Sequence, residues 1–419
     1  MGAPFCRQTV LPNGLRIVTK NFSGVKTFSL AIVIRRGSKH DPLRLAGLAH
    51  FLEHAVHRGT KRWTTSSQVN ERFEIKGLSE NAQTSTSFTS FYILEAITGL
   101  LNYSFDFLSE IVLNPLLDES AITAEKGVII DEHFTYKDDP GAEARELLNR
   151  MLYVHSPLGR RTEGTQETIK RIQRSDLVKM HQRYYIPNNM IIVAIGDIQH
   201  QQVVKLARHF FGHIPRKPLP RETVKIHRIS SQHLRRICRP ALNAAYLNIG
   251  ARFTDLTTKE QGVLEILSTV LGGHTLSRLF KLIRTDLGKA YMVDSGVEDF
   301  LEGQQLNIDT APLPKDLEKI RQLIYATILT LKEKGISTAE LRLAKTFLVN
   351  DRYREIKYSE DFLHELIATM VHNNPEYSFL RAIPIIRSVT PADVQKFLDQ
   401  HWRPEDFRIA IIAPKKKTA

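Results

Sequence analysis

The sequence contains an internal repeat, and this feature limits the possible folds more than any other. Residues 176–196 (DLVKMHQRYYIPNNMIIVAIG) and residues 393–413 (DVQKFLDQHWRPEDFRIAIIA) align at a constant offset of 217 residues, about half of the 419-residue chain. Each copy combines an amphipathic helical pattern, a proline-containing break and an apolar, β-rich run, as in a helix that leads into a buried strand. We therefore predict two similar domains, with a chance similarity of two unrelated helix–strand units as the alternative.

The segment between the two copies predicts where the domains divide. Residues 215–228 (PRKPLPRETVKIHR) are rich in proline and charge, which is typical of a linker. The division gives an N-terminal domain of residues 1–214 and a C-terminal domain of residues 229–419. Both halves mix strand-like and helix-like stretches without strict βαβ alternation, and one expected helix covers residues 93–112. This mixture predicts the α+β class, with sheets that carry helices packed on one face.

Composition excludes several classes of protein. Hydrophobic residues make up 42% and charged residues 25% of the chain, which is neither a disordered nor a low-complexity composition. No apolar run reaches the roughly 18 residues that a transmembrane helix needs, and no signal or transit pattern is visible. The two cysteines, Cys6 and Cys238, are too few and too far apart for a disulfide framework or a zinc ribbon. We therefore expect a cytoplasmic protein in a reducing environment.

The net charge of +13 permits nucleic acid, anionic surfaces or acidic peptides as partners. The basic residues are scattered, and the densest run, Lys415–Lys417, reads as a solvated tail. The sequence shows no RNA-binding aromatic motif and no helix-turn-helix pattern. We expect neither nucleic acid nor a membrane as a partner, and a basic nucleic-acid binder is the last of the alternatives.

The strongest local motif is His-x-x-Glu-His, formed by His50, Glu53 and His54 in GLAHFLEHAVHRGT. On a helix, an apolar stripe is formed by Leu45, Leu48, Ala49, Leu52 and Val56. The three motif residues lie together on another face. Histidines four residues apart project from successive turns, so their neutral imidazoles can bind one Zn²⁺. Glu53 then lies beside a water on the metal and is the candidate general base.

A hydrolytic zinc site needs a third protein ligand and an open fourth position. The segment EKGVIIDE supplies candidates in Glu125 and Glu132, which are seven residues apart and therefore lie on nearly the same helical face. That face also carries Val128 and Ile129, and a carboxylate on an apolar face is unfavourable unless a cation compensates its charge. The alternative is that one or both glutamates reach solvent or pair with a basic residue.

These residues together resemble the pitrilysin, insulin-degrading enzyme and mitochondrial processing peptidase family of inverzincins, in its half-length, bacterial-type form. The resemblance extends over nearly the whole chain. It implies that His50, His54 and Glu132 bind one Zn²⁺ per chain, and that Glu125 lies close to the site without being a ligand. It also implies two similar α+β domains, each a mostly antiparallel sheet with helices packed on one face.

Two further segments resemble the family. The stretch LSENAQTSTSFTSFYI is similar to the family's edge strand, which implies that Asn81 and Ala82 bind the substrate backbone. The stretch LGGHTLSRLFKLIRTDLGKAY is similar to the segment that carries an Arg and a Tyr seven residues apart. These positions imply that Arg284 binds the peptide and that Tyr291 donates a hydrogen bond to the tetrahedral oxyanion.

Two residues depart from the family pattern. His57 replaces an aromatic residue, usually Phe, and Glu80 stands before Asn81 where an apolar residue is common. We expect His57 to face solvent or substrate, with a fourth metal contact as the alternative. These changes concern specificity rather than zinc binding.

The function that the resemblance implies is zinc-dependent endopeptidase activity on unstructured peptides, or processing of a precursor peptide, inside a dimeric chamber. Because the half-length members complete each site across a subunit interface, we expect a homodimer, with a heterodimer as the alternative. A subunit that acts with a degenerate partner, a non-catalytic binding or assembly protein of the same fold, and a different enzyme with the same inverted motif are the remaining alternatives.

Overall fold

The structure is a computed structural model that describes residues 6–220, 224, 229–355, 358, 360–372 and 382–415. Seven residues of the predicted linker, 221–223 and 225–228, lie outside the described residues, so the predicted domain division stays a prediction. The same holds for Lys416 and Lys417 of the predicted basic tail.

The described residues form eleven strands and fourteen α-helices. The strands are β1 (Arg7–Val10), β2 (Arg16–Asn21), β3 (Thr27–Ile34), β4 (Ser79–Thr84), β5 (Thr89–Ile97), β6 (Met190–Gly196), β7 (Leu234–Cys238), β8 (Tyr246–Phe253), β9 (Ala290–Phe300), β10 (Gly303–Pro312) and β11 (Arg408–Ala413). The helices are α1 (Leu48–Val56), α2 (Ser66–Glu74), α3 (Leu101–Leu113), α4 (Glu119–Lys137), α5 (Pro140–Leu152), α6 (Gln166–Arg171), α7 (Arg174–Tyr184), α8 (His200–Phe211), α9 (Thr258–Leu271), α10 (Leu317–Lys334), α11 (Thr338–Glu355), α12 (Glu360–Val371), α13 (Ala382–Ser388) and α14 (Pro391–Gln400). None of these helices is long and apolar enough to cross a membrane.

The chain divides into two compact units, and each unit takes segments from more than one part of the sequence. The first unit consists of Met1–Phe134, Arg161–Val224 and Ile356–Asn373. The second unit consists of Thr135–Arg160, Lys225–Glu355 and Asn374–Ala419.

The first unit contains a six-stranded sheet in the order β1-β2-β6-β3-β5-β4, in which only β2 and β6 are parallel neighbours. One face packs on α1, α3 and α8 through a core that includes Ile32, Leu52 and Phe105. The other face packs on α12, where Val33 of the sheet and Phe362 belong to a second buried cluster. Because both of its faces are covered, β3 reads as a nearly continuous apolar run rather than an alternating one.

The second unit contains a five-stranded sheet in the order β7-β11-β8-β10-β9, in which only β7 and β11 are parallel neighbours. Its apolar core includes Ile249, Leu267, Ile324 and the fully buried Trp402. Helix α5, which precedes the linker in sequence, packs against β8 and β11. Each half of the sequence therefore supplies one helix to the sheet formed mainly by the other half.

The internal repeat corresponds to equivalent parts of the two sheets. The first copy forms α7, a short turn at Pro187 and β6, and the second forms α14, a short turn at Pro404 and β11. Both strands lie between one parallel and one antiparallel neighbour. The predicted α+β fold with two similar sheet-and-helix domains is confirmed.

The helix predicted over residues 93–112 is wrong at its start. Strand β5 continues to Ile97, and α3 begins only at Leu101. The apolar residues before Ile97 pair with β3, with Ile93 opposite Leu30. Pairing with this neighbouring strand, rather than the local sequence, makes residues 93–97 a strand. A continuous apolar stretch gives no sequence signal of the change from strand to helix.

Candidate active site

Helix α1 carries the His-x-x-Glu-His motif, and its first turn is fixed by two local features. Gly47 precedes the helix with a φ of +96°, and a Cβ there would lie 2.4 Å from the carbonyl oxygen of Glu163. The buried Asp41 carboxylate accepts hydrogen bonds from the backbone N–H groups of Gly47 (3.1 Å) and Ala49 (3.2 Å). Burial raises the pKa of Asp41 to about 7, and these backbone hydrogen bonds, together with nearby Arg36, oppose that rise. These contacts fix where α1 starts and therefore where its histidines lie.

His50 and His54 of α1 face Glu132 of α4. The Nε2 atoms of His50 and His54 lie 3.8 Å and 3.4 Å from Oε2 of Glu132. One possible ligand atom from each of the three residues lies within 4.8 Å of the others. Ligand atoms around a tetrahedral zinc with bonds of about 2.0–2.1 Å are separated by roughly 3.3–3.5 Å. The distance from His54 to Glu132 lies in this range and the distance from His50 is slightly longer, so the three side chains fit a zinc ion after small side-chain movements. Two histidines with one glutamate are also a donor set of hydrolytic zinc sites.

Burial keeps His50 in the form that binds a metal. Burial, followed by the charge of neighbouring His54, lowers the pKa of His50 from 6.5 to about 3. The imidazole is therefore neutral at physiological pH, and a neutral imidazole has a free lone pair for a metal. Its Nδ1 atom is buried and has no hydrogen-bond partner.

Glu125 orients His54 rather than joining the three facing ligands. Its Oε1 lies 2.9 Å from Nδ1 of His54, and its Oε2 is paired with Nε of Arg58. Since a carboxylate only accepts hydrogen bonds, Nδ1 of His54 donates to Glu125, and Nε2 is the ring nitrogen that faces Glu132. Although burial raises the pKa of Glu125, the hydrogen bonds from His54 and Arg58 lower it overall and keep the carboxylate charged.

Glu53 lies one residue before His54 and is buried. Thr84 of β4 donates a hydrogen bond from Oγ1 to Oε2 of Glu53. Burial raises the pKa of Glu53, and the Thr84 hydrogen bond opposes that rise. A carboxyl group with a raised pKa exchanges protons more readily near neutral pH, which is what a general base and acid requires.

Strand β4 lies at the edge of the first sheet and, among the described residues, pairs only with β5. Its side chains alternate, so Asn81 is exposed while Ala82 is half-buried. The Oδ1 atom of Asn81 accepts a hydrogen bond of 2.8 Å from the backbone N–H of Ala82. The predicted substrate-binding residues therefore occupy a strand with one unpaired edge, the position that an added peptide strand requires.

His57 differs from the expectation that it faces solvent or substrate. It is half-buried, and its Nε2 lies 2.8 Å from Oε1 of Glu80 on β4. Its Nδ1 lies 3.0 Å from the backbone oxygen of Glu53. Burial lowers the pKa of His57, but the Glu80 carboxylate and these hydrogen bonds raise it overall.

Arg284 and Tyr291 belong to the second unit. Arg284 lies in a short π-helix, Phe280–Asp286, and Tyr291 is the second residue of β9. The Arg284 guanidinium donates a hydrogen bond to the backbone oxygen of Tyr291, and its carbon lies 4.4 Å from the centre of the Tyr291 ring. The Tyr291 side chain is 83% exposed and is therefore accessible to a ligand.

Two side chains of the site, those of Arg58 and Thr84, were not predicted from the sequence, and the contact between Glu80 and His57 was not predicted either. Arg58 and Thr84 hold Glu125 and Glu53, and Glu80 binds His57. Arg58 lies four residues after His54 and two residues beyond the end of the motif helix, so its position gave only a weak signal. Thr84 and Glu80 lie on the inward side of an edge strand, where only the folded structure shows which helix they contact.

Comparison with known proteins connects the chain to one family. A family model described as Insulinase (Peptidase family M16) matches residues 16–166, and a model described as Peptidase M16 inactive domain matches residues 171–348. The chain is 29% identical to an uncharacterised zinc protease of Mycobacterium leprae, over 82% of this chain and 77% of that protein. It is also 29% identical to the uncharacterised zinc protease YmxG of Bacillus subtilis, over 96% of this chain and 97% of that protein.

The fold of this chain also matches solved structures whose sequence identity to it is lower than that of these relatives. A protease from Helicobacter pylori superimposes with a TM-score of 0.89 at 20% identity, covering 98% of this chain and 100% of that one. The two family models together extend over most of both halves of the sequence, in the order expected from the motif positions. The chain therefore belongs to peptidase family M16.

Proposed function

We propose that this chain is a zinc-dependent endopeptidase that hydrolyses unstructured peptides or processes a precursor peptide. The observation that carries the proposal is the convergence of His50, His54 and Glu132 next to the Glu53 carboxyl group. Relatives whose names describe them as zinc proteases support it.

The proposed mechanism assigns a role to each side chain of the motif. A zinc ion held by His50, His54 and Glu132 would supply Lewis-acid chemistry that activates water and polarises the scissile carbonyl. Glu53 takes a proton from the attacking water and passes it to the leaving amine. Glu125 keeps the proton of His54 on Nδ1, so that Nε2 stays available as a ligand.

An extended peptide would bind as an additional strand along β4. Backbone hydrogen bonds give such a complex affinity without a strict sequence requirement. Asn81 and Ala82 would contact the peptide backbone, so flexible peptides would be favoured over folded proteins. From the family resemblance, Arg284 would bind the peptide and Tyr291 would donate a hydrogen bond to the oxyanion.

The oligomeric state belongs to the same proposal. A homodimer that encloses a peptide chamber is favoured because the chain carries both the zinc motif and the Arg284–Tyr291 pair. A heterodimer with a degenerate partner is the second candidate, together with a non-catalytic protein of the same fold. The match of residues 171–348 to a domain described as inactive keeps these candidates open. Cytoplasmic localisation also stays a prediction.

Metal content and peptide cleavage test the proposal together. We expect one zinc per chain after purification without chelators, and cleavage of an unstructured fluorogenic peptide that stops after chelation and returns with zinc. The Glu53→Gln variant should keep its zinc and lose nearly all turnover, because only the proton acceptor is changed. Unchanged turnover by Glu53→Gln would remove the proposed base. Zinc binding without any cleavage would favour the non-catalytic alternative.

A further inference from the structure

The two departures from the family pattern lie in contact with each other. His57 is the first residue after α1, and Glu80 is the second residue of β4. Their side chains form an ion pair of 2.8 Å, and the side chains of His57 and Glu80 are only 21% and 6% exposed. An aromatic and an apolar side chain at these two positions would make an apolar contact, whereas His57 and Glu80 make an ion pair.

Both nitrogens of the His57 ring are engaged. Nε2 faces the Glu80 carboxylate, and Nδ1 lies 3.0 Å from the backbone oxygen of Glu53. Carbonyl and ionised carboxylate oxygens only accept hydrogen bonds, so both ring nitrogens donate. The ring also packs near Phe91, with 5.8 Å between the ring centroids. His57 therefore links the end of the motif helix to the edge strand in one orientation.

A second contact joins the same two elements. Thr84, at the end of β4, donates a hydrogen bond to Glu53 of α1. Glu80 and Thr84 both point inward, whereas Asn81 between them is exposed. The edge strand is therefore attached to α1 at two points four residues apart. These two attachments flank the residues predicted to bind the substrate backbone.

The two attachments contact different residues near the site. The Thr84 hydrogen bond ends on Glu53 itself, so it acts on the group that handles protons. The His57–Glu80 pair instead joins the residue that follows α1 to the residue before Asn81. It touches neither Glu132 nor the facing nitrogens of His50 and His54 within the described contacts. Its loss would therefore displace the strand without removing a metal ligand or the base.

We propose that His57 and Glu80 are positioning residues that set which bond of a peptide on β4 lies opposite the catalytic groups. The proposal rests on the proposed peptidase function. A buried carboxylate is unfavourable without a cationic partner, and a cation is unfavourable beside an apolar side chain. Each partner therefore depends on the other, and replacing both with an apolar pair is better tolerated than replacing one.

Peptide kinetics and product analysis test this assignment. The variants are His57→Phe, Glu80→Leu and the double variant His57→Phe/Glu80→Leu, each assayed on an unstructured fluorogenic peptide with products identified by mass spectrometry. We expect each single variant to raise KM by roughly fivefold or more and to spread cleavage over neighbouring bonds, with a smaller change in kcat. The double variant should return KM to within about twofold of wild type and restore the original cleavage sites.

Two further variants separate positioning from a general loss of structure. Glu80→Gln keeps an oxygen that accepts the His57 hydrogen bond, so it should retain the wild-type cleavage sites even if Glu80→Leu fails to fold. His364→Phe removes another histidine–glutamate pair, with Glu360 on α12, which packs on the opposite face of the same sheet. It should leave KM and the cleavage sites unchanged. Single variants that cleave the same bonds with wild-type KM, or a double variant no better than the singles, would overturn the assignment.

A binding measurement tests the positioning role independently of the proposed catalytic activity. The same substitutions are made in a Glu53→Gln background, and binding of a labelled unstructured peptide is followed by fluorescence anisotropy. The assignment predicts weaker binding for the singles and recovery for the double variant, whether or not the wild type hydrolyses peptide. If wild type shows no zinc-dependent cleavage but the binding pattern holds, the proposed catalysis fails and the positioning role stands. Equal binding by all variants overturns the positioning role alone.

Discussion

Nδ1 of His54 lies 2.9 Å from Oε1 of Glu125, and this hydrogen bond connects the two helices that carry the candidate metal ligands. Helix α1 contributes His50 and His54, while α4 contributes both Glu125 and Glu132. Because Glu125 and Glu132 are two turns apart on one helix, fixing the first also fixes where the second points. Arg58 holds the other oxygen of Glu125. The position of Glu132 opposite the histidines therefore depends on the contacts of Glu125 with His54 and Arg58.

The first prediction concerns Glu125. Glu125→Gln keeps the shape of the side chain but removes the charge that orients His54, so zinc affinity should fall by about tenfold or more. Competition with a chelator of known affinity measures the change. Glu119→Gln, an exposed substitution on the same helix, is the matched control and should leave affinity unchanged. Equal affinities for wild type and Glu125→Gln would show that the contact does not support the ligand.

The second prediction concerns Thr84. Thr84→Val is nearly isosteric and removes the hydroxyl that donates to Glu53. A hydrogen bond to a charged group contributes about 1.5–3 kcal/mol, so kcat should fall by roughly tenfold or more while zinc content stays the same. Thr123→Val, an exposed threonine on α4, serves as the control. If Thr84→Val lost zinc together with activity, the substitution would have disturbed the metal site rather than only the hydrogen bond to Glu53.

The third prediction is a pH dependence of stability in the second unit. Hydrogen bonds from Arg278 lower the pKa of Glu340 from 4.5 to about 2, with Ser337 contributing further. A carboxyl group with a lowered pKa stabilises the fold fully above its unfolded pKa, and this contribution is lost as the pH falls from about 4.5 through 2. Wild type should therefore be more stable than Glu340→Gln at pH 6, and the difference should shrink as the pH is lowered towards 3.

Tryptophan fluorescence can follow this unit separately. Trp402 is fully buried in the second unit, and a Trp63→Phe background makes it the single tryptophan of the chain. Denaturant unfolding at each pH gives the free energy of unfolding for both proteins. Glu318→Gln, which affects an ion pair with Arg321 on the solvent side of α10, should show a smaller dependence. A constant difference between pH 6 and pH 3 would contradict the account.

The fourth prediction concerns subunit sharing. If each active site takes its zinc motif from one subunit and Tyr291 from the other, His50→Ala and Tyr291→Phe should each be nearly inactive alone. Mixing them under conditions of subunit exchange should restore up to about one quarter of wild-type activity, the statistical share of complete sites in a randomly mixed dimer. Light scattering on the same samples reports the oligomeric state. No recovery in a mixture that contains mixed dimers would count against shared sites.

Sequence patterns predicted the two-domain organisation and the helix that carries the motif, because both depend on residue spacing along the chain. The offset of 217 residues indicated two similar domains, and the copies form α7 with β6 and α14 with β11. Helical geometry predicted that His50, Glu53 and His54 share a face, since that spacing depends on α1 alone. Glu132 needed the family resemblance, because nothing in the sequence itself decides which of two glutamates on α4 faces another helix.

The remaining features depend on contacts between distant segments. The apolar pattern of α12 indicates a buried helix, but not that it packs on β3 of the first sheet. The start of α3 was predicted too early because the preceding apolar run fits a strand and a buried helix equally well. His57 and Glu80 were recognised as separate departures, and only the structure shows that they meet.

Anomalous diffraction from crystals at the zinc absorption edge tests the central claim most directly. The account predicts one strong peak per chain, within bonding distance of Nε2 of His50, Nε2 of His54 and a carboxylate oxygen of Glu132, that disappears in a His54→Ala crystal. A chain purified without chelators and supplied with zinc that shows no peak there, or a peak coordinated by other residues, would contradict it.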